Sequence, residues 1–258
     1  MEDKRVMNAV RKMSALKLLR RYLNDENAYK TFEKNKCYPP ENGVAYFSAI
    51  DYVDDVKYFK VNSNGLCNYI NAQDGTLYSD EWFTDCVLLS NGVMAVDEGP
   101  WKGYLFVKDG KKITNLRFWN FSDFSDGIAC VELFDEHKWV YIKENGELLC
   151  DLMFDSTGLF YDDIEFATVE RDKKYNFLRK DGKLIGNIWY DGCIGFNEFG
   201  VALVLLNGKS NFLKSNGKYL LNDWFDKLKG FDRNGIAHGI LKGQKYKIDI
   251  INKSIKKE

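Results

Sequence analysis

The stretch NFLRKDGKLIGNIWYD, Asn176 to Asp191, returns as NFLKSNGKYLLNDWFD, Asn211 to Asp226. The two share their Asn-Phe-Leu start, a central Gly-Lys, and a Trp-aromatic-Asp end. Working outward, the same outline recurs from Val140 as VYIKENGELLCDLMFD, from Tyr104 as YLFVKDGKKITNLRFW, and from Asn68 as NYINAQDGTLYSDEWF. The central glycines, Gly75, Gly110, Gly146, Gly182 and Gly217, stand 35 or 36 residues apart. Self-similarity at a fixed period is the signature of a repeat architecture.

Twelve of the 21 glycines directly follow Asn or Asp. Asx-Gly between alternating apolar residues marks a tight hairpin, because a type I′ turn needs positive φ at both central positions. A second anchor precedes each block: Gly92-Val-Met-Ala-Val, Gly127-Ile-Ala-Cys-Val, Gly200-Val-Ala-Leu-Val and Gly235-Ile-Ala-His-Gly. Each unit therefore reads as strand, turn, strand, Asx-Gly turn, short strand and an aromatic corner. One unit alone is marginal in water, and stacked neighbours supply the missing cover. The recurrent aromatics Trp82, Phe118, Phe154, Trp189 and Trp224 are the expected packing residues between units, each able to bury on the order of 150–250 Å².

The expected fold is all-β: five to six antiparallel three-stranded repeats over residues 52–258, in a solenoid-like array. A closed β-propeller is the alternative, although propeller blades usually carry four strands and about 40–45 residues. Residues 1–36 read as a helical cap, with Val6, Val10, Met13 and Leu16 at helical spacing. Residues 37–51 form a linker and first strand, opened by Pro39-Pro40.

The opening Phe124-Ser-Asp-Gly-Ile-Ala-Cys-Val131, the strand Lys138-Trp-Val-Tyr-Ile142 and the turn Asp181-Gly182-Lys183 together resemble the bacterial WG-repeat proteins, over some four fifths of the chain. Val140, Asn176 and Asn211 stand where that family has the glycine of its Trp-Gly pair. The resemblance implies a repeat scaffold without a general enzymatic activity.

No residue pattern marks chemistry. His137 and His238 are the only histidines. Neither comes with a marked nucleophile and orienting acid, and two distant histidines make a poor zinc site. Asp162-Asp163-Ile164-Glu165 lacks the glycine-punctuated spacing of a calcium loop. Asp155, Asp191 and Asp226 recur unit after unit, as turn-forming residues would. The six cysteines show no C-x-x-C pair and read as core thiols, Cys67, Cys130 and Cys150 among them. No phosphate-binding glycine motif occurs, so neither cofactor nor metal is expected.

The chain carries a formal net charge of −1. Residues 1–36 hold ten Lys and Arg against five acids, and the remainder 27 against 33. An acidic repeat body opposes phosphate binding, leaving the basic N-terminal segment as the place for any nucleic-acid contact. Neither a signal peptide nor a membrane-length apolar run is evident, which places the protein in a cytoplasm. The residue usage suits an AT-rich bacterial or phage genome. The functional expectation is non-enzymatic binding of a protein partner, with glycan or cell-envelope binding through exposed Trp and Tyr as the alternative.

Overall fold

The computed structural model describes residues 46–53, 56–63, 65–71, 77–99, 102–160 and 165–258. The expected helical cap at 1–36, most of the 37–51 linker, Gly75, Cys37 and the Asp162-Asp163 pair lie outside these residues. The chain forms two compact units, one closing at Glu136 and taking in Ile142–Glu147, the other comprising His137–Tyr141 and Leu148–Glu258. Every regular element among the described residues is a strand, and all paired strands are antiparallel. The all-β expectation therefore holds.

In the first unit, β1 (Tyr46–Val53), β2 (Val56–Ser63) and β3 (Leu66–Asn71) make a three-stranded sheet in that order. The strand β1 runs across the expected boundary at 51/52. Next come β4 (Asp85–Leu88), β5 (Met94–Asp97), β6 (Tyr104–Lys108), β7 (Lys111–Lys112), β8 (Phe118–Phe121) and β9 (Ile128–Leu133). Strands β4, β5, β6, β8 and β9 are neighbours in that order, and β7 folds back on β6.

The division between units falls within β10 (Trp139–Lys143). Two three-stranded sheets follow: β11 (Ser156–Thr157), β12 (Phe166–Arg171), β13 (Lys174–Arg179), then β14 (Gly192–Ile194), β15 (Val201–Leu206), β16 (Lys209–Lys214). A four-stranded sheet, β17 (Lys227–Leu228), β18 (Ile236–Leu241), β19 (Gln244–Asp249) and β20 (Ser254–Lys257), ends the chain.

Side chains alternate across a strand, so each sheet offers two faces to its neighbours. In the second unit, Ala202, Val204 and Leu213 on one face of β15 and β16 pack with Phe177, Ile185 and Tyr190 of the preceding repeat. Val201 and Phe212 on the opposite face pack with Ala237 and Ile248 of the following one. One phenylalanine per repeat wedges onto the third-strand aromatic of the repeat before it. The ring pairs are Phe124 on Phe106 at 5.4 Å, Phe160 on Tyr141 at 5.2 Å, Phe196 on Phe177 at 5.0 Å and Phe231 on Phe212 at 4.4 Å.

The turns correct one expectation. At Gly146, Gly182 and Gly217 only the glycine has positive φ, 86°, 81° and 80°, and the preceding Asx does not. The hydrogen bonds Gly182 N to Arg179 O and Arg179 N to Lys183 O close a three-residue loop, a type I turn ended by a left-handed glycine. The Asx side chain earns its place differently: Asn145, Asp181 and Asn216 each accept the amide two residues on, at 3.0–3.1 Å. True two-residue turns with both φ positive occur at Asp109-Gly110, Asp126-Gly127, Asp172-Lys173, Asn207-Gly208 and Lys242-Gly243.

Candidate functional site

The periodic glycines serve a second purpose, which their spacing alone does not reveal. A Cβ on Gly146 would lie 1.7 Å from the Ile113 carbonyl oxygen, and one on Gly182 2.5 Å from that of Leu149. The same turn meets Tyr78 at Gly110 and Ile185 at Gly217, both at 3.6 Å. The periodic turns at Gly110, Gly146, Gly182 and Gly217 thus rest on the segment just past the corresponding turn one repeat earlier.

The aromatic anchors divide into two sets. Phe118 and Phe154 are fully buried, as expected of packing residues. Trp82, Trp189 and Trp224 are only half-buried, and the residue after each, Phe83, Tyr190 or Phe225, is the one in the core. Those core residues bridge back to the start of the third strand, Phe83 to Cys67, Phe154 to Trp139, Tyr190 to Tyr175 and Phe225 to Ser210. Two of these tryptophans are engaged by neighbours: Arg171 lies over the Trp189 ring at 4.5 Å, and Trp224 meets Tyr219 edge-on at 4.8 Å.

The recurrent aspartates tie repeats together. Asp155 accepts from Lys138 Nζ and, at 2.7 Å, from the Asp172 amide. Asp191 accepts from Lys174 Nζ and from the Asn207 amide at 2.6 Å. Asp226 accepts from the Lys242 amide at 2.7 Å and pairs with Lys209 at 3.4 Å. Each carboxylate joins a lysine opening the third strand of one repeat to the hairpin turn of the next. The lysine partners hold Asp155 and Asp191 below the usual carboxylate range, and for Asp226 the Lys242 amide contributes most. The equivalent position is Thr84 or Trp119 in the first unit. Thr84 Oγ1 donates to Asp97 O at 2.8 Å, and Trp119 Nε1 donates to Phe134 O at 2.9 Å while stacking on that ring.

Sequence reasoning missed the buried asparagines. Asn68, Asn176 and Asn211 are completely inaccessible to solvent. Asn211 Nδ2 donates to the Leu221 and Asp223 carbonyls at 3.0 and 3.3 Å, and its Oδ1 accepts the Phe212 and Leu221 amides. Asn68 does the same for Ser79, Glu81 and Tyr69. These residues stitch the segment past the Asx-Gly turn to the third strand. The signal was present in the departure of Asn176 and Asn211 from the Trp-Gly pattern, but their burial was not readable.

The reactive groups are in poor surroundings for chemistry. Cys150 and Cys193 are partly buried, and burial pushes the Cys193 thiol up to about 11 and the Cys150 thiol in the same direction. A nucleophilic thiolate needs the opposite shift. Cys130 is a buried free thiol, but Cys67, expected to be one as well, is joined to Cys86 from β4. His137 occupies a turn with φ of 49°. Among the described residues no group of three or more His, Cys, Asp and Glu could hold a metal, and no helix is long and apolar enough to cross a membrane.

Two hollows occur at equivalent places on successive repeats. One, of about 240 Å³, is lined by Gly192, Cys193, Ile194, Leu203, Leu205 and Ser210. Its counterpart on the last sheet, of about 350 Å³, is edged by Lys227, Lys229, His238, Ile240, Lys245 and Glu258. Within it His238 Nδ1 lies 3.3 Å from the Glu258 carboxylate, and no Ser, Thr or Cys lines it. The change from apolar to basic lining reflects a charge asymmetry that averaging over the repeat body conceals. Residues 37–226 hold 18 basic against 30 acidic side chains, but 227–258 hold nine against three.

No family model matches the chain, and no curated protein matches it. Among solved structures it is similar to Kluyveromyces lactis Hsv2p, at 11% identity and a TM-score of 0.37, over 86% of this chain and 94% of that one. It is also similar to the Myceliophthora thermophila Cps50 (Swd1) β-propeller domain, at 7% identity and a TM-score of 0.33, over 86% and 87% of the two chains. Likenesses this loose carry no argument about its fold or its function.

Proposed function

We propose that this chain is a non-enzymatic, WG-like repeat scaffold that binds a protein partner through its repeat surface, in the cytoplasm of a bacterium or of a phage's host. One observation carries the reading: the residue types that could have done chemistry recur in register and are used up between repeats. The aspartates bind lysines and turn amides, the asparagines bind backbone, and the partly buried thiols are held protonated. Aromatic corners whose core members are buried favour a protein partner over a sugar, which stacks on exposed rings. We take the array as solenoid-like. The face of the last sheet bears His238, Lys245 and Lys247 where the previous sheet bears Leu203, Ser210 and Phe212, which is how a terminal repeat is made soluble.

The test is affinity purification of the intact chain from its native host, with quantitative mass spectrometry against an unrelated bait. Reproducible enrichment of one protein that binds again when both are purified supports the proposal. Failure to recover any such protein, or turnover of a substrate that depends on His137 or His238, overturns it.

A further inference from the structure

We infer that the outward face of the last sheet is the docking surface for an acidic polypeptide segment of the partner; this rests on the protein-binding reading above. Strand register builds the face. Lys227 pairs with Ile240 and Ile240 with Lys245, while His238 pairs with Lys247 and Lys247 with Lys256. Cross-strand partners share a face, so β17, β19 and β20 raise lysines on the side of the sheet where Ile240 of β18 floors the hollow. Lys227, Lys229, Lys245, Lys247 and Lys256 are all exposed.

At the corresponding place on the preceding sheet, Phe212 lies under Phe231 with ring centroids 4.4 Å apart. Lys247 stands at the place of Phe212, and the strands put no Phe, Tyr or Trp on this face, leaving the exposed His238 imidazole as their one ring there for a nucleobase to stack upon. The cations are lysines, which lack the two-pronged geometry that makes arginine the phosphate reader. Glu258, beside His238, would repel a closely spaced phosphate backbone, but a peptide can place an apolar residue there. Carboxylates at alternate positions of an extended segment would meet the lysines, with a Leu or Ile between them seated on Ile240. Complementary charge of this kind raises the association rate and fixes orientation.

The experiment titrates the full chain with a fluorescent peptide of Glu and Asp with interspersed Leu, at low and high salt. A single-stranded oligodeoxynucleotide of equal charge is titrated in parallel. Reversing Lys227, Lys229 and Lys245 to Glu should weaken peptide binding about tenfold or more at low salt. Reversing the exposed Lys111, Lys183 and Lys218 should change it far less. Circular dichroism checks folding, and a milder Lys-to-Gln triple at the same positions should give an intermediate loss. Equal effects from both triples, no binding by the wild type, or tighter lysine-dependent binding of the oligonucleotide would each overturn the inference. A purified partner whose binding ignores the 227/229/245 triple would sink this surface while leaving the scaffold reading intact.

Discussion

The repeats of the first unit and those of the second solve the same structural problems with different side chains. After the buried aromatic at the end of each repeat, the second unit places Asp155, Asp191 or Asp226, and each holds a lysine and a turn amide. The first unit places Thr84 and Trp119 there, and they reach the next hairpin through a hydroxyl and an indole. Both units bury an asparagine in the third strand, Asn68 in the first and Asn176 and Asn211 in the second, but the first adds a Cys67–Cys86 link and a Glu98 bound to Lys112 and Arg117. The lesson is that backbone positions recur more faithfully than chemistry. Positions that admit only one solution should be the most sensitive to change.

Glycine at the stacking turn is such a position. Gly146→Ala should be the most damaging single change, because its Cβ meets the Ile113 carbonyl at 1.7 Å and its φ is 86°. We expect a loss on the order of 4 kcal/mol, the range reserved for severe backbone conflict. Gly217→Ala, with φ of 80° but 3.6 Å of room, should cost only about 1–2 kcal/mol for the left-handed conformation. Urea unfolding of both variants measures the gap, and equal losses would show that the turns do not bear on the preceding repeat.

The buried asparagines come next. Asn211→Val leaves the Phe212 and Leu221 amides and two carbonyls without their side-chain partner. Val140 shows that this position accepts the same apolar volume in another repeat. Unpaired buried backbone groups cost about 1–3 kcal/mol, so a loss of about 3 kcal/mol is expected by denaturant titration. A loss under about 1 kcal/mol would mean that the backbone finds other partners.

These two cases show what the sequence could and could not reveal. The 35-residue period, the two long strands of each repeat and the Asx-Gly turns are legible because glycine and alternation leave local marks. The short strand expected after each turn is mostly an isolated bridge, as at Leu178 and Leu184, and the added strand lies past the aromatic corner. The turn type at Gly146, Gly182 and Gly217 was misread, since Asx-Gly serves a three-residue loop as well as a two-residue one, and loop length is set by strand register. Trp189 and Trp224 were taken for packing residues because size is visible in sequence, but which of two adjacent aromatics faces inward depends on the pleat. The partners of Asp191 lie 16 and 17 residues away, and the basic end face emerges only when β17, β19 and β20 bring its lysines together.

Glu98 offers a pH test confined to the first unit. Hydrogen bonds from Lys112 and Arg117 lower its carboxyl to about 2, from an ordinary 4.5. A lowered folded-state pKa gives stability that is full above the ordinary value and is lost as pH falls from about 4.5 towards 2. Thermal melts across that window should show a falling midpoint, and Glu98→Gln should flatten part of the slope. Parallel wild-type and variant curves would remove Glu98 as a source of acid sensitivity.

The clamp in the second unit should give the smallest effect, which makes it the sharpest test of position against charge. Asp191→Asn keeps an oxygen for the Asn207 amide but loses the charge facing Lys174. Both clamp side chains are substantially exposed, and exposed ion pairs contribute little once salt screens them. The variant should therefore melt only slightly below the wild type at low salt and with it at high salt. Asp191→Ala, which also removes the oxygen, should melt lower at every salt concentration. If Asn and Ala behaved alike, charge would be what the recurrent aspartate supplies. Thr84 and Trp119 argue the reverse, since two uncharged residues already close the same joint in the first unit.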